Sequence, residues 1–219
     1  MFKFCPACAS EKISFADGRA FRCPDCGFLY YHSTAAATGC VISVPENANA
    51  VGDAGAGIQR GRKRLLFLVR GEEPAKGKLD LPGGFVDSGE GVFEGLYREI
   101  KEELGWSPPV PPGAPLFEIF TLFSSFSNVY PYKNIPYNTC DLYFSLYAPD
   151  LKESDLCLRR GEIAAVRFLK PEEINYDEIA FESTRRAVRA FLKMNSGGAC
   201  PAAGACQYAP LNNIRLQSS

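Results

Sequence analysis

Two sets of side chains in this sequence have the types and spacing to do chemistry: Glu99, Glu102 and Glu103, and the pairs Cys5/Cys8 and Cys23/Cys26. On a helix, positions i, i+3 and i+4 share a face, so the three carboxylates stand about a turn apart and repel. Each like-charge pair costs roughly 0.2–0.5 kcal/mol on an isolated helix, and collecting them on one face implies a compensating cation. Hard divalent ions such as Mg2+ or Mn2+ take oxygen ligands and bind through a few carboxylates together with substrate phosphates. The cysteines predict a different centre. Two CxxC knuckles, fourteen residues apart, supply four thiolates for a closed tetrahedral Zn2+ site, which is structural because no coordination position stays open.

A helix and a loop must position the glutamates. The helix is predicted to start near Ser88 to Glu90, run through Glu103 and stop at Gly105, after a Leu81-Pro82-Gly83-Gly84 loop. Strands are predicted over 38–45, 63–69, 116–126, 139–147 and 163–169. A second, amphipathic helix is predicted over 177–193, with Ile179, Phe181, Ala187, Val188, Phe191 and Leu192 toward the core. Residues 46–61 are polar and glycine-rich and read as a hairpin loop. The nearby Arg60, Arg62, Lys63 and Arg64 read as a solvated edge in preference to a phosphate site. In the connector 127–138, Tyr130, Tyr132 and Tyr137 lie among turn residues, where they either stack on a base or close the loop onto the core. The organisation expected is a zinc ribbon over 1–32, a catalytic domain over 33–194 and a poorly ordered tail over 195–219 that carries Cys200 and Cys206 as unassigned thiols.

Composition narrows the function. Hydrophobic residues make up 46% and charged residues 22%, with a net charge of -1, so the chain has no general attraction for nucleic acid or an anionic membrane. Residues 1–32 hold Lys3, Lys12, Arg19 and Arg22 as their only cations, without the dense basic stripe of a nucleic-acid partner. No apolar run reaches the length of a membrane span and the N-terminus does not read as a signal peptide, so a cytoplasmic protein is expected. Nine cysteines in a chain this long, an odd number with four in CxxC units, point to metal in preference to disulfides. The single histidine, His32, adjoins the ribbon, which leaves catalysis to carboxylates and metal.

From Gly84 to Trp106 the sequence carries a glycine, five residues, Glu, seven residues, then Arg-Glu-apolar-any-Glu-Glu-any-Gly-apolar, as Gly84, Glu90, Arg98, Glu99, Ile100, Glu102, Glu103, Gly105 and Trp106. This is the Nudix box in full, and the chain resembles a Nudix hydrolase; Trp106, where the family more often has an aliphatic residue, is a departure in packing. The resemblance implies an α/β/α sandwich with a mixed sheet, preceded here by a small zinc ribbon as in members similar to NADH pyrophosphatase. It implies that Glu99 and Glu103, joined by Glu102, hold Mg2+ or Mn2+, that the Gly84 carbonyl contributes to that site, and that Glu90 supports it. Arg98 is implied to anchor the box by pairing with Glu90, a role that requires burial. The general base is either a box glutamate or a later carboxylate, with Glu162 first among the later ones and Glu153 behind it. The reaction implied is attack of water on a diphosphate that joins a nucleoside to another moiety. No Ser-Gln-Pro-Trp-like array follows the box, which argues against NADH and leaves ADP-ribose or an ADP-sugar as the first expectation. Many relatives dimerise, although no self-complementary surface is legible here. The alternative is a nucleotide-sensing regulator whose ribbon binds nucleic acid or a protein; the intact carboxylate set favours the enzyme.

Overall fold

The computed structural model describes residues 2–46, 63–132 and 135–195. Two sheets form. The first is a three-stranded antiparallel sheet of β1 (Ser14–Ala16), β2 (Ala20–Arg22) and β3 (Leu29–Tyr31). Its core is little more than Cys5, Ala20, Phe21 and Cys23. A module that buries so little apolar surface needs a further source of stability, of the kind a metal supplies when four cysteines hold it.

The second sheet is mixed and six-stranded: β4 (Ala35–Pro45), β5 (Lys63–Arg70), β6 (Leu79–Asp80), β7 (Thr121–Tyr132), β8 (Ile135–Tyr147) and β9 (Ile163–Leu169). The order is β6-β5-β4-β8-β7, with β9 on β5, and β4 runs parallel to β8. Alternate residues of each strand face opposite sides. Cys40, Ile42, Leu66 and Leu68 therefore pack with helix α1 (Val92–Leu104), while Val41, Leu65 and Phe67 pack with helix α2 (Glu182–Asn195). The result is an α/β/α sandwich with a mixed sheet, as expected. Among the described residues no helix is long and apolar enough to cross a membrane.

Local chemistry moves several predicted boundaries. The Glu90 carboxylate accepts the Asp87 N–H (2.8 Å) instead of opening a helix, so α1 starts at Val92 after an extended Gly91. Helix α2 starts at Glu182, not 177, because Tyr176–Glu178 closes as a separate single turn and the chain after it is extended at Ile179, with Ala180 N–H donating to Leu79 O (2.8 Å). The stretch 116–126 divides into a single turn at Leu116–Glu118 and β7, since the Ile119 and Phe120 N–H groups bond back to Leu116 O. The largest difference is the connector 127–138, which continues the arms of β7 and β8 as a long hairpin. Cross-strand pairs such as Tyr130↔Tyr137 support it, and Pro131 faces Pro136, so neither missing N–H breaks a bond to a third residue. Residues 133–134, 47–62 and 196–219 lie outside the described residues, and with them most of the expected loop 46–61, Arg60, Arg62, Cys200 and Cys206. Lys63 and Arg64 lie over the rings of Tyr147 and Phe168 (4.9 and 5.5 Å).

One irregularity of the sheet makes the site. β9 pairs with β5 from Leu65 to Arg70, so β4 at Leu65 and β6 at Leu68 and Val69 must share the opposite edge of β5. β4 therefore leaves β5 beyond Ser43, and its residues Ala35 to Ile42 present an edge on that side that no strand pairs.

Candidate active site

The loop after β6 fills the free edge. Cys40 N–H donates to Pro82 O, Thr38 N–H to Gly84 O and Val86 N–H to Ala36 O, at 2.8–3.0 Å. This close approach explains the glycines: a Cβ on Gly83, whose φ is +143°, would meet Thr38 O at 2.1 Å, and one on Gly84 would meet Glu99 Oε1 at 2.6 Å. The Gly84 carbonyl, expected at the metal site, accepts the Thr38 N–H at 2.8 Å and, at 3.4 Å, the Thr38 hydroxyl.

Helix α1 brings the glutamates under that loop, and its phase sorts them. At about 100° per residue, Glu103, Glu99 and Glu102 lie roughly 60°, 100° and 160° round the helix from buried Ile100. Exposure follows that order. Glu103 is 6% exposed, the Glu99 side chain 14% and that of Glu102 41%. Glu103 accepts the Gly83 N–H (2.9 Å) and has no ion pair among the described residues. Burial pushes its carboxyl well above the usual range, and the nearby Glu99, Asp80 and Glu162 add to the rise against the pull of the Gly83 N–H. Burial likewise raises Glu99, opposed by Arg98.

The helix ends as the glycine predicts. Gly105 adopts the left-handed conformation (φ 60°) and its N–H closes onto Lys101 O. Cys157 and Arg159 N–H groups then satisfy Leu104 O and Glu103 O (2.8 and 3.0 Å), which fixes the chain leading to Glu162 beside the glutamates. Trp106 packs against the α1-side core. Glu162 lines the same cavity and is held by Arg159 at 3.0 Å; Arg159 also reaches Glu102 (3.2 Å), which lies outside the cavity. Glu153 is exposed in a short turn and does not line it. Arg98 donates to Glu90 (2.6 and 3.1 Å), Glu99 (2.9 Å) and Phe85 O (3.1 Å). Its hydrogen bonds hold the Glu90 carboxyl below its ordinary value, and the Arg98 and Glu90 side chains are 27% and 18% exposed.

The cavity has a volume of about 470 Å3 and contains residues that sequence reasoning missed. Arg70 pairs with Asp80 (3.0 Å), which also accepts the Thr184 hydroxyl (3.2 Å), and burial raises Asp80 against the pull of Arg70. Tyr143 donates to Ser183 (3.0 Å), and Ser183 donates to Asp141 (2.7 Å). These groups come from β5, β6, β8 and α2, and no local spacing joins them; polar residues at inward strand positions, Asp80 and Asp141, were the one available signal. Of the tyrosines, Tyr130 lines the cavity, and Tyr137 meets Phe85 at its rim (6.2 Å). His32 contacts Phe15 and Phe21 in the ribbon.

Two donor sets have metal-ligand chemistry. The four Sγ atoms of Cys5, Cys8, Cys23 and Cys26 lie within 4.8 Å of one another, with Cys5–Cys26 at 3.6 Å and Cys8–Cys23 at 3.7 Å. Zn–S bonds of about 2.3 Å set tetrahedral sulfurs roughly 3.8 Å apart, so the set fits Zn2+. Burial pushes the Cys23 thiol up, but the Cys26 and Asp25 N–H groups outweigh it and bring it down to about 7. Gly27, at φ 75°, turns the second knuckle. The carboxylates do not converge as a three-donor set among the described residues. Half-buried Glu99, paired with Arg98, and buried Glu103, without an ion pair among the described residues, instead offer two neighbouring carboxylates, which suits an ion that takes one or two carboxylates and completes its shell with water and phosphate.

The NUDIX domain model matches residues 51–191. The ADP-ribose pyrophosphatase of Methanocaldococcus jannaschii is 48% identical over 54 residues, 25% of this chain and 32% of that protein. The NAD-capped RNA hydrolase NudC of Chromobacterium violaceum is 31% identical over 103 residues, 47% of this chain and 32% of its own length. These matches thus span about a third of each curated relative. Among solved structures, a NUDIX hydrolase from Nitrosomonas europaea superposes with a TM-score of 0.58 at 23% identity, covering 90% of this chain and 94% of that one. The NUDIX domain of Shewanella oneidensis NrtR, complexed with ADP ribose, superposes with a TM-score of 0.52 at 13% identity, over 75% and 90% of the two chains.

Proposed function

The chain belongs to the NUDIX domain family, and on that premise we propose that it is a metal-dependent pyrophosphohydrolase of nucleoside diphosphates linked to a second moiety, with ADP-ribose or an ADP-sugar as substrate. The observation that carries this reading is the pair Glu99 and Glu103 on successive turns of α1 beneath the Gly83-Gly84 loop, Glu103 buried and Glu99 half-buried, with burial raising both carboxyls. A bound Mg2+ or Mn2+ supplies charge neutralisation for the phosphate oxygens and a lower pKa for its water. Glu99 and Glu103 hold that ion, the Gly84 carbonyl adds a ligand, and Arg98 positions Glu90 and Glu99. Glu162 takes the proton of the attacking water as its oxygen bonds to phosphorus and the bridging P–O bond breaks. Glu102 neutralises Arg159 and Arg98 at the rim. The ribbon holds Zn2+ structurally through Cys5, Cys8, Cys23 and Cys26. Free thiols in that number suit the reducing cytoplasm.

The substrate reading draws support from the relative named an ADP-ribose pyrophosphatase and from the structural neighbour that binds ADP ribose. The test is a screen of ADP-ribose, ADP-glucose, NADH, FAD and diadenosine polyphosphates with Mg2+ or Mn2+, read by product mass, beside Glu103→Gln. AMP plus a sugar phosphate, lost by orders of magnitude in the variant, is the expected result; no metal-dependent cleavage of any of these overturns the reading.

A further inference from the structure

The hairpin arms of β7 and β8 run on past the end of α2. Where the helix covers them, their inward side chains are packed: Phe123 meets Phe191 (5.7 Å), Arg186 lies over Phe126 (4.2 Å) and Tyr143 bonds Ser183. Beyond its first residues the same sheet face turns to the cavity instead, through Asn128 and Tyr130 on β7 and Thr139 and Asp141 on β8. Asn128 and Thr139 are direct cross-strand partners, and Asp141 lies two residues along.

Thr139 is 2% exposed, lines the cavity, and its hydroxyl has no hydrogen-bond partner. Buried hydroxyls are ordinarily paired, so one left unpaired within a cavity wall points to a ligand that completes it. Aromatic rings flank this polar strip: Phe85 and Phe181 stand at 5.6 and 5.4 Å from Tyr130, and the Arg70 guanidinium lies over Phe181 at 5.1 Å. Rings beside a row of amide, hydroxyl and carboxylate suit a planar heteroaromatic group, with its faces against the rings and its edge on the polar side chains. A bare sugar has no π-face, and a further phosphate beside this strip would meet the Asp141 carboxylate. The Asp141 carboxylate accepts the Ser183 hydroxyl on one oxygen, and its other oxygen is an acceptor that selects an edge that donates.

We propose that Asn128, Thr139 and Asp141 form the recognition edge of a nucleobase subsite that prefers a base bearing an exocyclic amine, within the Phe85–Tyr130–Phe181 wall. The proposal rests on the reading of this cavity as a nucleoside diphosphate site and names the end of the substrate that is not hydrolysed. Its test needs no catalysis. Binding of AMP, IMP and ribose 5-phosphate to the full chain is measured calorimetrically in EDTA, with Thr139→Val and Asn128→Ala. AMP is expected to bind at least tenfold tighter than either analogue. Each variant should lose roughly tenfold for AMP, as for one missing hydrogen bond, while ribose 5-phosphate binding is unchanged. Thr139→Val should also leave the melting temperature intact, since its hydroxyl holds nothing together; if it does not fold, Asn128→Ala carries the same comparison. Absence of AMP binding, or equal binding of AMP and ribose 5-phosphate, overturns the subsite, and equal binding of AMP and IMP overturns the amine preference. Failure of the hydrolase reading would appear only in the substrate screen, where no diphosphate is cleaved whatever AMP binding shows.

Discussion

Glu103→Gln should stabilise the metal-free protein at neutral pH while removing its activity. Glu103 is 6% exposed, accepts one backbone N–H and has no ion pair among the described residues, so its charged form is the costly one. Its carboxyl is raised above the ordinary 4.5, chiefly by burial. The folded protein therefore binds more protons at this group than the unfolded chain once the pH passes about 4.5, and stability falls as pH rises until the folded-state value is reached. For one group the loss approaches about 1.4 kcal/mol per pH unit inside that window. Glutamine keeps the acceptor for Gly83 N–H and the volume but never ionises. In EDTA, the melting temperature of the native protein should fall between pH 5 and 6 by up to about 3–6 °C more than that of the variant, at roughly 2–4 °C per kcal/mol for a chain of this size. Relief of Glu99, Asp80 and Glu162 acts in the same direction. The assay is thermal unfolding from pH 4 to 8 with and without chelator. Parallel pH profiles for the two proteins, or a variant that melts lower at pH 8, would refute the claim that this carboxylate is buried without a counter-charge.

The two loop glycines should separate fold from chemistry. Gly83→Ala drives a Cβ to 2.1 Å from Thr38 O at a φ of +143°, both of them rigid backbone, and should cost roughly 2–5 kcal/mol in urea unfolding. Gly84→Ala meets only the Glu99 carboxylate, so the protein should melt within a few degrees of normal yet lose metal-dependent turnover; unfolding in the second variant but not the first would reverse the assignment. Stripping zinc should expose residues 2–32 to protease while the six-stranded sheet stays resistant, because metal binding there is folding energy; a ribbon that keeps its resistance in the apo-protein removes that role.

What the sequence determined by itself is local. Period and punctuation fixed α1 and its stop at Gly105, since a helix is closed by bonds four residues apart and its end by one left-handed glycine. The two CxxC knuckles announced their converging sulfurs for the same reason: the ligands sit in tight turns that carry their geometry with them. The sequence also grouped Glu99, Glu102 and Glu103 as one set, and only packing separated them, by deciding which side of α1 the sheet covers and leaving Glu102 at the rim with Arg159. The hairpin of β7 and β8 was hidden behind turn-forming residues because its stability comes from cross-strand pairs, which have no fixed sequence separation. Asp80, Asp141, Thr139 and Thr184 stayed illegible as a group, since they meet only where β4 parts from β5 and the glycine loop fills the gap. A strand's sequence states what it can bury, whereas its neighbours, its edge and the cavity beside it are set by the competition of all strands for partners, which only the assembled sheet resolves.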